Sequence, residues 1–152
     1  MSDPHFRSLS DVLAFAIQRE IEAADSYGRM AGMTTTPGLR QFLMELKGEE
    51  ENHRRLLEGL AVERLAEPAA PAADMGLSDA LEDIAPAPDM TFQELLIFAA
   101  RNEKTAEDLY AGLARRPELA ASSKIFKFLA GQERTHKIKL EAEYETYVLS
   151  DD

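Results

Sequence analysis

Residues 46–58, LKGEEENHRRLLE, and residues 129–141, LAGQERTHKIKLE, decide the fold. Laid over one another they match Leu46 with Leu129, Gly48 with Gly131, Glu50 with Glu133, His53 with His136, Leu57 with Leu140 and Glu58 with Glu141, without a gap. Steps of three and four put Leu46, Glu50, His53 and Leu57 on one helix face, and the same holds for their counterparts. The 83-residue shift extends upstream, pairing Leu13 with Leu96, Phe15 with Phe98, Ala16 with Ala99, Glu20 with Glu103, Ala23 with Ala106, Asp25 with Asp108 and Tyr27 with Tyr110. Any two amphipathic helices share leucines and alanines. Glu, His and Tyr recurring at inward positions in one register are different, because burying an unpaired carboxylate is strongly unfavourable. The chain therefore reads as two copies of one helical hairpin.

Each hairpin resolves into two helices. The first helix, from about Leu9 to Ala31, carries the stripe Leu13, Ala16, Glu20, Ala23, Tyr27 and Met30, with Ser8 or Ser10 available as its N-cap. Thr36 and Pro37 open the second, which runs to about Leu65 behind the stripe Leu43, Leu46, Glu50, His53, Leu57 and Leu60. Thr91 and Glu94 make a capping box for the third, whose stripe is Leu96, Ala99, Glu103, Ala106, Tyr110 and Leu113 and which ends at the Arg115-Arg116-Pro117 break. The fourth is expected as one helix from about Glu118 to Val148, with Phe126, Leu129, Glu133, His136 and Leu140 inward. The expected fold is all-α: a single four-helix domain with hairpins at 9–65 and 91–148. The Pro- and Ala-rich segment 66–90 is a connector, in which Leu77 to Ile84 could form a turn or two of helix. A helix of ~29 residues is roughly 43 Å long, and the connector can span that distance, giving a bundle with one long crossover.

Composition removes several function classes. The 152 residues hold 28 Asp+Glu against 17 Lys+Arg, a net charge of -11 that opposes binding to nucleic acid phosphates. With no cysteine, disulfides, thiolate nucleophiles and Cys-ligated zinc or iron are excluded, so any metal must use oxygen and nitrogen ligands. No apolar run is long enough to cross a bilayer, and the N-terminal MSDPHFRSLSD lacks the apolar core of a signal peptide, so a cytoplasmic location is expected.

Glu20, Glu50, Glu103 and Glu133 each fall near the middle of their helices, a level that coincides whichever way a helix points. In a bundle, four carboxylates and the imidazoles of His53 and His136 would then meet at one level of the core. Two divalent cations would cancel the four negative charges, and the donor set suits iron or manganese, with zinc also accepted. The Glu-x-x-His spacing lets Glu50 with His53, and Glu133 with His136, bind one metal each from one helix face. Glu49 and Glu51 point away from the stripe, towards the solvated face. Asp25 and Asp108 are rotated off it too.

These residues resemble the ferritin-like di-iron proteins, and among them the rubrerythrin family. The resemblance covers nearly the whole chain and rests on Glu20, Glu50-x-x-His53, Glu103 and Glu133-x-x-His136, with Tyr27 and Tyr110 seven residues beyond the lone glutamates. It implies two iron ions, bridged by Glu50 and Glu133, with Glu20 and Glu103 as terminal ligands and a histidine completing each site. Tyr27 and Tyr110 would stand beside the ligands. Without cysteine there is no rubredoxin-type iron domain, so an external electron donor is expected. Rubrerythrins usually carry a further metal-binding Glu in the third helix, one turn after the first; this chain has Ala106 there, one turn after Glu103, and the adjacent Glu107 is expected to be a solvated charge. The six-residue set is closer to that of bacterioferritin, while the short stretch after Val148 leaves no room for the fifth helix of a storage cage.

The resemblance thus implies an oxidoreductase that oxidises Fe(II) with hydrogen peroxide or dioxygen, the metals being its only catalytic groups. The alternative is an iron-binding, storage or delivery protein whose acidic surface concentrates cations. His5 is expected to be a solvated tail residue. Helix faces carrying Phe42, Met44, Ile97 or Phe98 suit pairing into a homodimer.

Overall fold

The computed structural model describes residues 9–64 and 86–149. Among the described residues the fold is all-α, with four long helices: α1 (Leu9–Met33), α2 (Pro37–Arg64), α3 (Phe92–Ala114) and α4 (Ser123–Leu149). The chain divides into two compact units, Met1–Ala85 and Pro86–Asp152, each built on one hairpin. Whether 65–85 crosses over, and whether Leu77 to Ile84 turns helical, concerns residues outside those described, as does the Ser8 cap; Ser10 lies inside the first turn of α1.

In the first unit, residues 34–36 turn the chain back from α1 into α2. The Thr36 carbonyl accepts the Arg40 backbone N–H at 3.0 Å, the first bond of α2. Pro37 at the opening position has no N–H to leave unsatisfied. Arg40 then reaches back, its Nε donating to the Ala31 carbonyl at 3.2 Å and its Nη2 to that of Thr34 at 2.8 Å. One side chain thus satisfies carbonyls at the end of α1 that no helical N–H can reach.

In the second unit, α3 opens on a complete capping box: the Glu94 N–H donates to the Thr91 hydroxyl at 3.2 Å, and the Thr91 N–H to the Glu94 carboxylate at 3.0 Å. The Thr91 backbone N–H, and after it the hydroxyl, hold the Glu94 carboxyl below the usual glutamate range. That half of the box is intact above the ordinary glutamate pKa and opens as the pH falls through the lowered value. Thr91→Ala is expected to destabilise the protein by about 1 kcal/mol, seen as a lower urea midpoint at unchanged slope.

The start of the fourth helix differs from the sequence expectation. Pro117–Ser122 form a 3₁₀ turn in which Leu119 is non-helical (φ -113°, ψ 19°), and α4 begins only at Ser123. Leu119 and Ser122, three apart, are both buried at this corner. The Ser123 hydroxyl donates to the Ala114 carbonyl at 2.8 Å, joining the end of α3 to the start of α4. At the far end Gln93 reaches the Tyr144 hydroxyl at 3.5 Å, so α3 and α4 are antiparallel.

All four expected stripes are buried along their whole length. Apolar side chains such as Leu13, Met30, Leu43, Leu46, Leu96 and Leu129 are at most 1% exposed, and burying each stabilises the fold by about 1.5–3 kcal/mol before entropy is charged against it. Ionisable side chains interrupt these stripes at their middles.

Candidate metal centre

The first unit brings together Glu20 from α1 with Glu50 and His53 from α2. Glu50 and His53 sit one turn apart, and His53 Nδ1 lies 3.7 Å from Glu50 Oε2 and 3.6 Å from Glu20 Oε2. The second unit repeats this arrangement with Glu103 from α3 and Glu133 and His136 from α4: His136 Nδ1 is 3.4 Å from Glu133 Oε1 and 3.7 Å from Glu103 Oε2. Within each trio the ligand atoms lie within 4.8 Å of one another, and all six residues are at most 2% exposed. Two ligand atoms each about 2.1 Å from one ion would stand roughly 3.0–3.4 Å apart, so these separations need only a small contraction to close on a cation. The buried glutamates and histidine of each trio could hold a metal ion. Their oxygen and nitrogen donors match divalent first-row metals.

A seventh ionisable group enters the first trio. Arg19, preceding Glu20 on α1, is 3% exposed, and its Nη1 donates to Glu20 Oε1 at 3.0 Å and to Glu50 Oε2 at 3.3 Å. Sequence reading passed over it because it stands one residue off the inner stripe. A signal was present: Val12, Arg19 and Ser26 follow one another at steps of seven along the stripe's edge, and all three are buried. In the second unit the matching residue is Asn102, half-buried and uncharged.

The other candidate residues have their own surroundings. Tyr27 and Tyr110 are buried, and the Tyr110 ring stacks on Phe126 with centroids 6.4 Å apart. Glu107 is not the solvated charge expected of it: its carboxylate accepts from Lys137 Nζ on α4 at 3.2 Å, and both side chains are about four-fifths buried. That pairing, rather than simple rotation off the stripe, occupies the carboxylate. Glu49 and Glu51 are half-buried but contribute to neither trio, while Asp25 and Asp108 are exposed, the latter bonded to Lys104 at 2.9 Å. Of the apolar residues considered for pairing, Met44 is exposed, whereas Phe42, Ile97 and Phe98 are half-buried. His5 lies outside the described residues. Among those described, no helix is long and apolar enough to cross a membrane.

No family model matches the chain, and no curated protein does. Among solved structures it is similar to a hypothetical protein from Pyrococcus furiosus, with 25% sequence identity and a TM-score of 0.71 over 91% of this chain and 89% of that one. The likeness supports the all-α, four-helix architecture on which the two trios are mounted.

Proposed function

We propose that the two trios together hold a pair of divalent metal ions and that the chain is a rubrerythrin-like di-iron oxidoreductase acting on hydrogen peroxide or dioxygen. One observation carries this reading: a buried Glu/Glu-x-x-His trio occurs twice, at matching positions of two hairpins, with its ligand atoms within reach of a shared cation. Glu20, Glu50 and His53 would hold one ion, Glu103, Glu133 and His136 the other. A bound ferrous pair supplies two electrons to reduce one peroxide to two waters, with two protons taken up, and an external donor restores them.

The chain's own part is to bind, neutralise and enclose. Four carboxylates would offset the charge of two dications, leaving the buried Arg19 guanidinium as the one charge of the loaded centre that they do not balance. Helix-borne ligands hold the donor atoms at fixed separation, and the leucines above and below them keep bulk water out.

Protein reconstituted anaerobically with Fe(II) is expected to consume hydrogen peroxide at least about tenfold faster than the Glu50→Ala, Glu133→Ala double variant treated identically, since that variant lacks a ligand in each trio. Equal rates would overturn the assignment of turnover to this site. The acidic balance of the chain, -11, favours a second reading, a non-catalytic iron carrier. It predicts retained iron, unaltered by peroxide turnover, that passes to an added acceptor; the oxidoreductase keeps two ions per chain through many turnovers.

A further inference from the structure

The outward face of α4 carries a second stripe. Phe128, Gly131, Thr135, Ile138 and Ala142 follow one another in steps of three and four, on the side of the helix opposite its buried residues, and all five are exposed. Phe128 and Ile138 are 51% and 54% exposed, the highest values for large apolar side chains among the described residues. Single apolar residues on a surface are ordinary, but these two share one face of one helix with only Gly131 and Thr135 between them. Their repeat partners in the sequence, Glu45 and Arg55, are polar, so the repeated helix pattern does not itself call for apolar residues at these positions. We infer that this face of α4 pairs, antiparallel, with the same face of a second copy of the chain to make a weak homodimer. The inference does not depend on the metal reading.

Charge selects both the occupant and its direction. The N-terminal end of the face carries Lys124 and Lys127 and the C-terminal end carries Glu141 and Glu145, all four exposed. A parallel pair of such helices would set lysine on lysine and glutamate on glutamate. An antiparallel pair sets each lysine end against the partner's glutamate end, twice over by two-fold symmetry. A face with opposite charges at its two ends and an apolar middle is complementary to itself, which is what an isologous contact requires.

The middle of the face fits the same arrangement. With the two-fold axis midway between Gly131 and Thr135, Phe128 comes opposite the partner's Ile138, and Gly131 opposite the partner's Thr135. A Cβ at Gly131 would meet no atom within 4 Å, so the chain's own packing does not demand glycine there. Its missing side chain leaves a notch into which a second helix can settle closely. Arg134, beside the axis, would meet its own copy, the one like-charge contact of the arrangement; its long side chain can turn its head to solvent. From Lys124 to Glu145 the face is about 32 Å long and about 10 Å wide, or roughly 320 Å² per copy. That is under half of the ~800 Å² per partner of a standard interface, so a dissociation constant of about 10–100 µM is expected.

Sedimentation equilibrium of the full chain from about 5 to about 500 µM is expected to show a reversible monomer–dimer equilibrium. Phe128→Ser should weaken it by about tenfold or more. Gly131→Gln removes a helix glycine but fills the notch, so it should raise the melting temperature while weakening the dimer about tenfold; simple damage to the fold would lower both. Lys124→Glu with Lys127→Glu should leave the chain monomeric. Adding Glu141→Lys and Glu145→Lys to that variant should restore the dimer to within about threefold of its original affinity, since the two ends are again opposite in charge. A parallel dimer would not respond in this way. A chain that is still monomeric at about 500 µM, the result if a different molecule or another part of the same chain covers this face, would overturn the inference. So would a dimer that survives the lysine reversal, or a fully reversed chain that is helical by circular dichroism yet stays monomeric.

Discussion

Replacing Arg19 by methionine is expected to destabilise the metal-free protein by about 3–5 kcal/mol, because it removes a buried cation in contact with the Glu20 and Glu50 carboxylates. Methionine has nearly the reach of the arginine stem and fills most of its volume, so a cavity is not the main cause. The cause is electrostatic: Glu20 and Glu50 are both fully buried, and Arg19 contacts both. A control at the surface shows the contrast. Arg54 and Glu58 are paired at 3.6 Å with side chains 37% and 53% exposed, and breaking that pair by Arg54→Ala should cost less than about 1 kcal/mol. The two variants, compared by urea denaturation in chelator, should therefore differ by several-fold in their loss of stability. With saturating Mn(II) the Arg19→Met deficit should shrink, since the bound ion replaces the missing cation. A deficit unchanged by metal would mean that Arg19 supports packing and not the charge balance of a metal site.

The stripes were legible because burial along a helix has a period that a linear sequence displays directly. Leu43, Leu46, Leu57 and Leu60 bracket Glu50 and His53 at steps of three and four, and no knowledge of a partner helix is needed to see that all six face inward. The Thr91 and Glu94 cap is equally local, three residues apart and self-satisfying. The histidine-to-glutamate pairing across helices became legible through the repeat, which fixed one register for both hairpins.

What escaped the sequence was in each case a relation between distant residues. Arg19 reaches Glu50, on another helix, as well as its neighbour Glu20, and a charged residue beside an inner stripe ordinarily reads as solvated. Lys137 and Glu107 are thirty residues apart, and neither alone announces a partner. At the α3–α4 corner, Pro117 followed by Glu118 has the signature of a helix start. In the fold that start is a 3₁₀ turn with Leu119 buried and non-helical, a conformation that local propensity does not announce.

Replacing Glu103 and Glu133 together by leucine is expected to raise the stability of the metal-free protein while abolishing its response to metal. Both carboxylates are fully buried, and the residue that matches Arg19 in the second unit is the uncharged Asn102. Removing them relieves both mutual repulsion and desolvation, and leucine approximates their volume, so a gain of about 1–4 kcal/mol in chelator is expected. The unaltered protein should behave in the opposite way, gaining about 2.7 kcal/mol for each site when Mn(II) stands at a hundred times its dissociation constant. Thermal melts in chelator and in Mn(II) thus separate two explanations for the buried acids. If they serve the fold through hydrogen bonds alone, the leucine variant melts lower in both conditions. If they are held in the core to bind cations, the variant melts higher without metal, and the order of the two proteins narrows or reverses when Mn(II) is added. The repeat of the Glu/Glu-x-x-His trio favours the second outcome, because costly buried charges recurring in the same pattern in both units are hard to account for unless they serve to bind something of opposite charge.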